Sequence, residues 1–196
     1  YKFQDSDLED DLLFKVIYLG SIRLANNIKL LIDAAELLKD KKNIRFLIYG
    51  DGDDRDYLEE YCNNKQLNNV IFKQKWVELK YVPYVLSKSS LNILNYMPSK
   101  ILKYGGSQSK SFQYMASGKP ICSNVEMNYC PINKYKLGIA KTFNNAEEYA
   151  EAIASFYFQP EIDYIEMCKR AKEAAYDYDY KKLTEKFIYL IDHKLN

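Results

Sequence analysis

The sequence predicts an α/β domain with a doubly wound, Rossmann-like parallel sheet, and three observations carry that prediction. Strand and helix signals alternate along most of the 196 residues. The first two strand signals, "FKVIYLG" (14–20) and "IRFLIYG" (44–50), are short β-branched and aromatic runs closed by glycine, as fully buried strands are. The segment between them, "IKLLIDAAELLKD" (28–40), sets Ile28, Leu31, Ile32, Ala35 and Leu38 on one helical face. Strand, helix, strand in this order implies right-handed crossovers with helices on both sides of the sheet.

The remaining elements continue the alternation. "DDRDYLEEYCNNKQL" (53–67) opens with acids that suit a helix N-terminus and puts Tyr57, Leu58, Tyr61 and Cys62 on one side. "NVIFK" (69–73) reads as a third strand, and "VPYVLSKS" (82–89) as a short helix with Pro83 in its first turn. "LNILNY" (91–96) is a fourth strand, a helix follows at 109–117, and "PICS" (120–123) is the next strand. A weak strand near Gly138–Thr142 precedes three helical patterns at roughly 146–158, 161–175 and 180–194.

Composition excludes several function classes. Apolar residues make up 47% and charged residues 28%, the balance of a globular chain, and a formal net charge of +1 with interspersed signs offers no basic face for nucleic acid. No apolar run reaches the ~18 residues a spanning helix needs. Cys62, Cys122, Cys130 and Cys168 form no C-x-x-C pair, and His193 is the single histidine, so neither a zinc site nor a disulfide framework fits. Reduced thiols in a cytoplasmic protein are the expectation. The chain opens at Tyr1 without a methionine, so further residues are expected before it.

Open parallel sheets bind ligands beyond the carboxyl ends of their strands, which restricts the search to loops 20–27, 50–54, 73–79 and 95–110. The last contains "GGSQSK", where glycines and serines lead into a helix and Lys110 adds a charge. Unpaired N–H groups at that helix start make it a candidate diphosphate cradle, although a capped helix with a lysine in its first turn reads the same way. It is no Walker loop, because G-K-S/T does not follow the glycines. In "GSIRLANN" (20–27), Gly20 permits a tight turn and Arg23 could grip a phosphate, but the further glycines of a dinucleotide fingerprint are missing. Gly50, Asp51 and Gly52 form a turn that admits a ligand or simply reverses the chain. Trp76 suits the wall of a base slot or ordinary packing, and Gln113 suits a pair of ribose hydroxyls or solvent.

Taken in order, "VIYLGS…LLIDAAELLKD…IRFLIYGDGDD…NNVIFK…SKSFQYMASGKPI" resembles the C-terminal nucleotide-sugar domain of GT-B glycosyltransferases. The likeness is greatest to the retaining family 4, or group 1, which builds bacterial capsule, O-antigen and exopolysaccharide, and it covers roughly residues 14–194. It implies a transferase moving a hexose from a UDP- or GDP-sugar to a glycan or lipid-linked acceptor, with no cofactor and no metal. It further implies a linker over 1–13, a nucleotide-sugar-binding domain over 14–158, and helices over 159–196 that pack toward an N-terminal domain. The chain would then be about half an enzyme, inactive alone, with acceptor and membrane contacts made by the other half at the inner face of the cytoplasmic membrane.

By the same resemblance, the diphosphate falls to Gly20, Ser21, Arg23, Ser107, Gln108, Ser109 and Lys110. The base falls to Gly50, Asp51, Gly52, Trp76 and Val77, the ribose to Gln113, and the donor sugar to Gly105 and Gly106. Many members carry two glutamates, eight positions apart, where this chain has Gly105 and Gln113. The family's basic pair in the first loop is replaced by Ser21 and Asn26, which leaves Arg23, Lys29, Lys100, Lys103 and Lys110 to neutralise the diphosphate, Lys110 and Arg23 foremost. Two alternatives stand beside this reading: a nucleotide-binding relative without activity, and a Rossmann-like epimerase or oxidoreductase fragment.

Overall fold

The computed structural model describes residues 1–105 and 109–194. Six strands form one parallel sheet: β1 (Phe14–Leu19), β2 (Ile44–Tyr49), β3 (Val70–Phe72), β4 (Leu91–Leu94), β5 (Ile121–Ser123) and β6 (Gly138–Ala140). Their order is β3-β2-β1-β4-β5-β6. The helices are α1 (Ser6–Glu9), α2 (Ile28–Leu37), α3 (Arg55–Asn64), α4 (Val82–Ser87), α5 (Ser109–Ala116), α6 (Pro131–Lys134), α7 (Ala146–Tyr157), α8 (Glu161–Ala175) and α9 (Tyr180–Lys194).

The period of two in the central strands divides the core. Val16 and Tyr18 of β1, with Ile44, Phe46 and Ile48 of β2, face the layer containing α2, α3 and α7. Ile17, Leu47 and Tyr49 point the other way, toward Leu8 of α1 and Val85 of α4. On that second face α5 packs against α8, where Ala171 and Ala174 are small enough for close approach. Helix α7 is capped by Asn145, whose side chain accepts from the Glu148 N–H at 2.9 Å while Glu148 reaches back to the Asn144 N–H at 3.2 Å. That reciprocal cap fixes where the α2–α7 layer starts.

Three features depart from the pattern read in the sequence. Strand β4 stops at Leu94 because Tyr96 leaves the ladder and pairs with the Asn124 side chain through both its N–H and its C=O, each at 2.9 Å. Helices α1 and α6 are four-residue turns, too short to show a hydrophobic period. Residues 1–13, expected as a linker, are docked on the domain: Leu8 is fully buried, and the Lys15 ammonium, itself inside the protein, donates to the carbonyls of Leu8 (3.0 Å) and Asp10 (2.8 Å). Helix α9 is the opposite case, with every residue from 180 to 193 exposed, including Leu183, Phe187, Ile188 and Ile191. Among the described residues, no helix is long and apolar enough to cross a membrane.

Candidate functional site

The strand order reverses between β1 and β4, so the crevice for a ligand opens at the carboxyl ends of those two strands. There the Asn95 side chain donates to the Asn27 carbonyl at 3.2 Å, and the Met97 N–H donates to the Ala25 carbonyl at 2.9 Å. These bonds tie the two loops together behind the crevice.

In front of it, the loops after β1, β2 and β3 stay in register past the ends of their strands. Gly20 donates to the Tyr49 carbonyl (3.0 Å), Ile22 to that of Asp51 (2.8 Å), and Gly50 to that of Gln74 (3.1 Å). Contact is so close that a Cβ on Gly50, whose φ is +123°, would stand 1.8 Å from the Gly20 carbonyl oxygen. The three loops line a cleft of about 280 Å³ formed by residues 19–21, 49–51 and 75–77. Trp76 stands at its lip, 81% exposed, and Lys75 lies 3.6 Å from Asp51 across the mouth.

Arg55, the first residue of α3, holds this cleft from behind. Its guanidinium is buried, donates to the Gly50 carbonyl, and donates to the Lys73 carbonyl at 2.8 Å. Its Nε meets Glu59 Oε1 at 2.6 Å, as an ion-pair contact rather than an aligned hydrogen bond. One side chain thus joins the loops after β2 and β3. Sequence reasoning missed it, because an arginine at the start of an acidic helix looks like a solvated i,i+4 partner of Glu59.

Lys110 enters from α5. Its ammonium lies 3.2 Å from the Tyr18 hydroxyl, 4.9 Å from the centre of the Tyr18 ring, and where a Cβ on Gly20 would meet it at 2.1 Å. Gly20 has a φ of +157°, so an empty Cβ position and a permissive backbone together make room for the lysine. Burial pushes the Lys110 ammonium down to about 8, and among the described residues no carboxylate pairs with it. Burial also drives the Tyr18 phenol far above its ordinary value; its hydroxyl donates to the Ser21 carbonyl at 2.6 Å. The site therefore holds a poorly solvated cation beside a glycine turn and the first turn of a helix, an arrangement suited to an anion.

The other candidates separate clearly. Gly20, Ser21, Gly50, Asp51, Trp76 and Val77 share the cleft. Gly52 adjoins it, and a Cβ there would lie 2.3 Å from the Ile22 carbonyl oxygen. Ser109 begins α5 one residue before Lys110 and is exposed, as is Arg23, which forms no ion pair among the described residues. Lys29 is not available for a diphosphate: its ammonium contacts Asp33 at 2.7 Å and stands over the Tyr61 ring at 4.1 Å, on the α3 side. Ser21 and Asn26 are bonded to each other, the Ser21 hydroxyl donating to Asn26 Oδ1 at 3.1 Å. Lys100 borders a separate groove with Glu126 and Thr142. Gln113, one turn beyond Lys110, borders an apolar groove with Leu79, Pro83 and Leu86 rather than the cleft itself. Gly105 lies beside the Asn128 carbonyl and the Tyr129 ring. Gly106, Ser107, Gln108 and the Lys103 side chain lie outside the described residues.

Residues 2–178 match the family model for glycosyl transferases group 1. The chain belongs to the group 1 glycosyl transferases. A search of curated protein sequences brings up no match. Among solved structures, this group 1 chain is similar to Staphylococcus aureus TarM, as a point mutant in complex with fondaparinux, α-GlcNAc-glycerol and UDP. The identity is 22% and the TM-score 0.73, over 91% of this chain and 35% of that one. The pneumococcal O-GlcNAc transferase GtfA in complex with UDP and GlcNAc is 18% identical, with a TM-score of 0.70 over 93% of this chain and 36% of its own. Anabaena Alr3699/HepE in complex with UDP and glucose is 16% identical, with a TM-score of 0.70 over 98% and 54%. The group 1 chain therefore has the Rossmann-like fold of a GT-B C-terminal domain and spans between about a third and about half of these neighbours.

Proposed function

We propose that this domain binds the donor nucleotide-sugar of a hexosyltransferase, with the base in the 280 Å³ cleft and the diphosphate between Gly20, Lys110 and the first turn of α5. One observation carries the reading: a largely buried ammonium without an acidic partner, at the topological switch point, beside a slot with an aromatic lip. A desolvated cation attracts a diphosphate strongly, and its charge costs least when the anion arrives. UDP is the favoured donor nucleotide, with GDP second; the relatives crystallised with UDP support that order.

In the reaction, the bond from the sugar's anomeric carbon to the diphosphate breaks and its electron pair stays on the departing phosphate oxygen. Lys110 and the α5 N-terminus stabilise that developing charge, so transfer proceeds without a metal ion. The acceptor, a cell-surface glycan or a lipid-linked precursor, takes the hexose with retention in the cleft facing the second half of the enzyme. The apolar side of α9 docks on that half at the inner face of the cytoplasmic membrane. Calorimetry with UDP, GDP and NAD tests the proposal: binding of one nucleoside diphosphate supports it, and binding of none overturns it.

Gly105 and Gln113 favour a second reading, in which the nucleotide is held but no sugar moves. Neither residue supplies the carboxylates common in the family. Turnover of a UDP-sugar by the full-length protein removes that reading.

A further inference from the structure

We infer that Asp5, on the segment leading into the domain, is a positioning residue of the nucleobase slot. The inference rests on the nucleotide reading above. Its side chain is 2% exposed and is shared between Tyr49, which lines the slot, and Lys73, which precedes the lining residues of the loop after β3. Oδ2 accepts from the Tyr49 hydroxyl at 2.8 Å, and Oδ1 faces the Lys73 ammonium at 2.8 Å. Tyr49 ends β2 and contributes directly to the cleft wall; Lys73 follows β3 and starts the loop that presents Lys75, Trp76 and Val77.

Apolar contacts reinforce the connection. Leu8 packs in one buried cluster with Tyr49 and Val85, and Val77 and Leu19 of the cleft press against that cluster. The Phe3 ring meets the Tyr49 ring edge-on, with 6.4 Å between centroids. On the opposite side Arg55 already grips the carbonyls of Gly50 and Lys73. The loop after β3 is thus held by one buried arginine through its backbone and by Asp5 through the Lys73 side chain. Oδ1 also caps α1 by accepting from the Asp7 N–H at 3.1 Å, and a buried carboxylate with three donors is a stiff joint, because withdrawing the Tyr49 hydroxyl leaves Oδ2 unsatisfied. Diphosphate binding at Gly20 and Lys110 involves neither Tyr49's hydroxyl nor Lys73. The segment that enters the domain therefore sets the base slot without setting the phosphate site.

Asp7 supplies the control. It also pairs with Lys73, at 2.6 Å, but it is more exposed and has no bond to Tyr49. In Asp5→Asn the lysine keeps Asp7 as a partner, so the fold is retained while the link to the slot is weakened.

The test is calorimetry on the whole chain with UDP and, separately, with inorganic diphosphate, alongside Trp76 fluorescence as a report from the slot's lip. For Asp5→Asn the expected result is UDP affinity about tenfold weaker with diphosphate affinity within about twofold, and a smaller change in Trp76 emission on adding UDP. Tyr49→Phe, which keeps the ring and removes the bond to Asp5, should shift UDP affinity the same way, by about threefold. Asp7→Asn should bind both ligands as the parent does. A purely structural Asp5 would lower the melting temperature and leave UDP affinity unchanged well below it, or weaken both ligands in parallel; either result overturns the inference. Should Asp5→Asn fail to fold, parent-like UDP affinity in Tyr49→Phe overturns it as well. A parent chain that binds no nucleoside diphosphate removes the nucleotide reading and the inference together; a parent that binds UDP while Asp5→Asn matches it removes the inference alone.

Discussion

The loops after β1, β2 and β3 are joined to one another by backbone hydrogen bonds and by a buried arginine, whereas the segments after β4 and β5 present side chains to solvent. On the first side, Gly50 sits against Gly20 and Arg55 spans two carbonyls. On the second, Met97, Ile101, Tyr104 and Tyr129 are all exposed, and Tyr129 is 90% so. The difference teaches that the cleft wall made by the loops after β1, β2 and β3 is fixed by contacts within this chain, while the segments after β4 and β5 leave large apolar side chains uncovered. The same contrast holds between α8, seated on α5, and α9, exposed from 180 to 193.

The largest test of that contrast compares two glycines of positive φ. Gly50→Ala should lower stability by on the order of 3 kcal/mol, because strain adds to a 1.8 Å clash with backbone that cannot move. Gly105→Ala meets its nearest neighbour, the Asn128 carbonyl oxygen, at 3.1 Å and should cost about 1 kcal/mol. Urea unfolding of both variants measures the gap, and equal losses would break the comparison.

Next in size is Lys110→Met. Losing a charge-assisted contact should weaken UDP binding about 30-fold, or ~2 kcal/mol, by calorimetry at pH 7. The chain itself should become more stable. A lysine whose folded value is about 8 against an ordinary 10.5 imposes its full penalty below pH 8, and the penalty fades as pH rises toward 10.5. Melting temperatures of the two proteins should therefore differ most at pH 7 and converge near pH 10.

A smaller effect follows from the same group. An arriving diphosphate stabilises the ammonium, so parent affinity for UDP should fall as pH rises through about 8, with proton uptake on binding. The Lys110→Met profile should be flat over that range. If both decline together, another group governs binding. Smallest of all is Phe187→Asp on the exposed α9, which should change the stability of this chain by no more than about 0.5 kcal/mol. A larger loss would mean that α9 is packed in solution, and the contrast with α8 would vanish.

Much of the fold was legible before any coordinates. Buried parallel strands announce themselves as short apolar runs, and helices such as α2 and α8 by their spacing. Residues near the cleft could be narrowed to four loops because the strand order of a doubly wound sheet dictates where ligands enter. The choice among lysines could not be read. Lys29 and Lys110 are equally plausible cations in the chain, yet one is neutralised by Asp33 on its own helix and the other lies under Gly20, ninety residues away in sequence. Arg55 and Asp5 gave no signal at all, since each acts by reaching across elements.

By itself the sequence determined the α/β class, the positions of its strands and long helices, the group 1 resemblance, and the loops in which a nucleotide would be sought. These follow from local periodicity and from turn residues, which need only near neighbours. The tertiary structure decided that Lys110 lies under Gly20 with no carboxylate paired to it among the described residues, that Arg55 clamps the loops after β2 and β3, and that the leading segment is wired to Tyr49 and Lys73. Those are properties of contacts between distant segments, where burial and charge pairing are set by what the fold brings together.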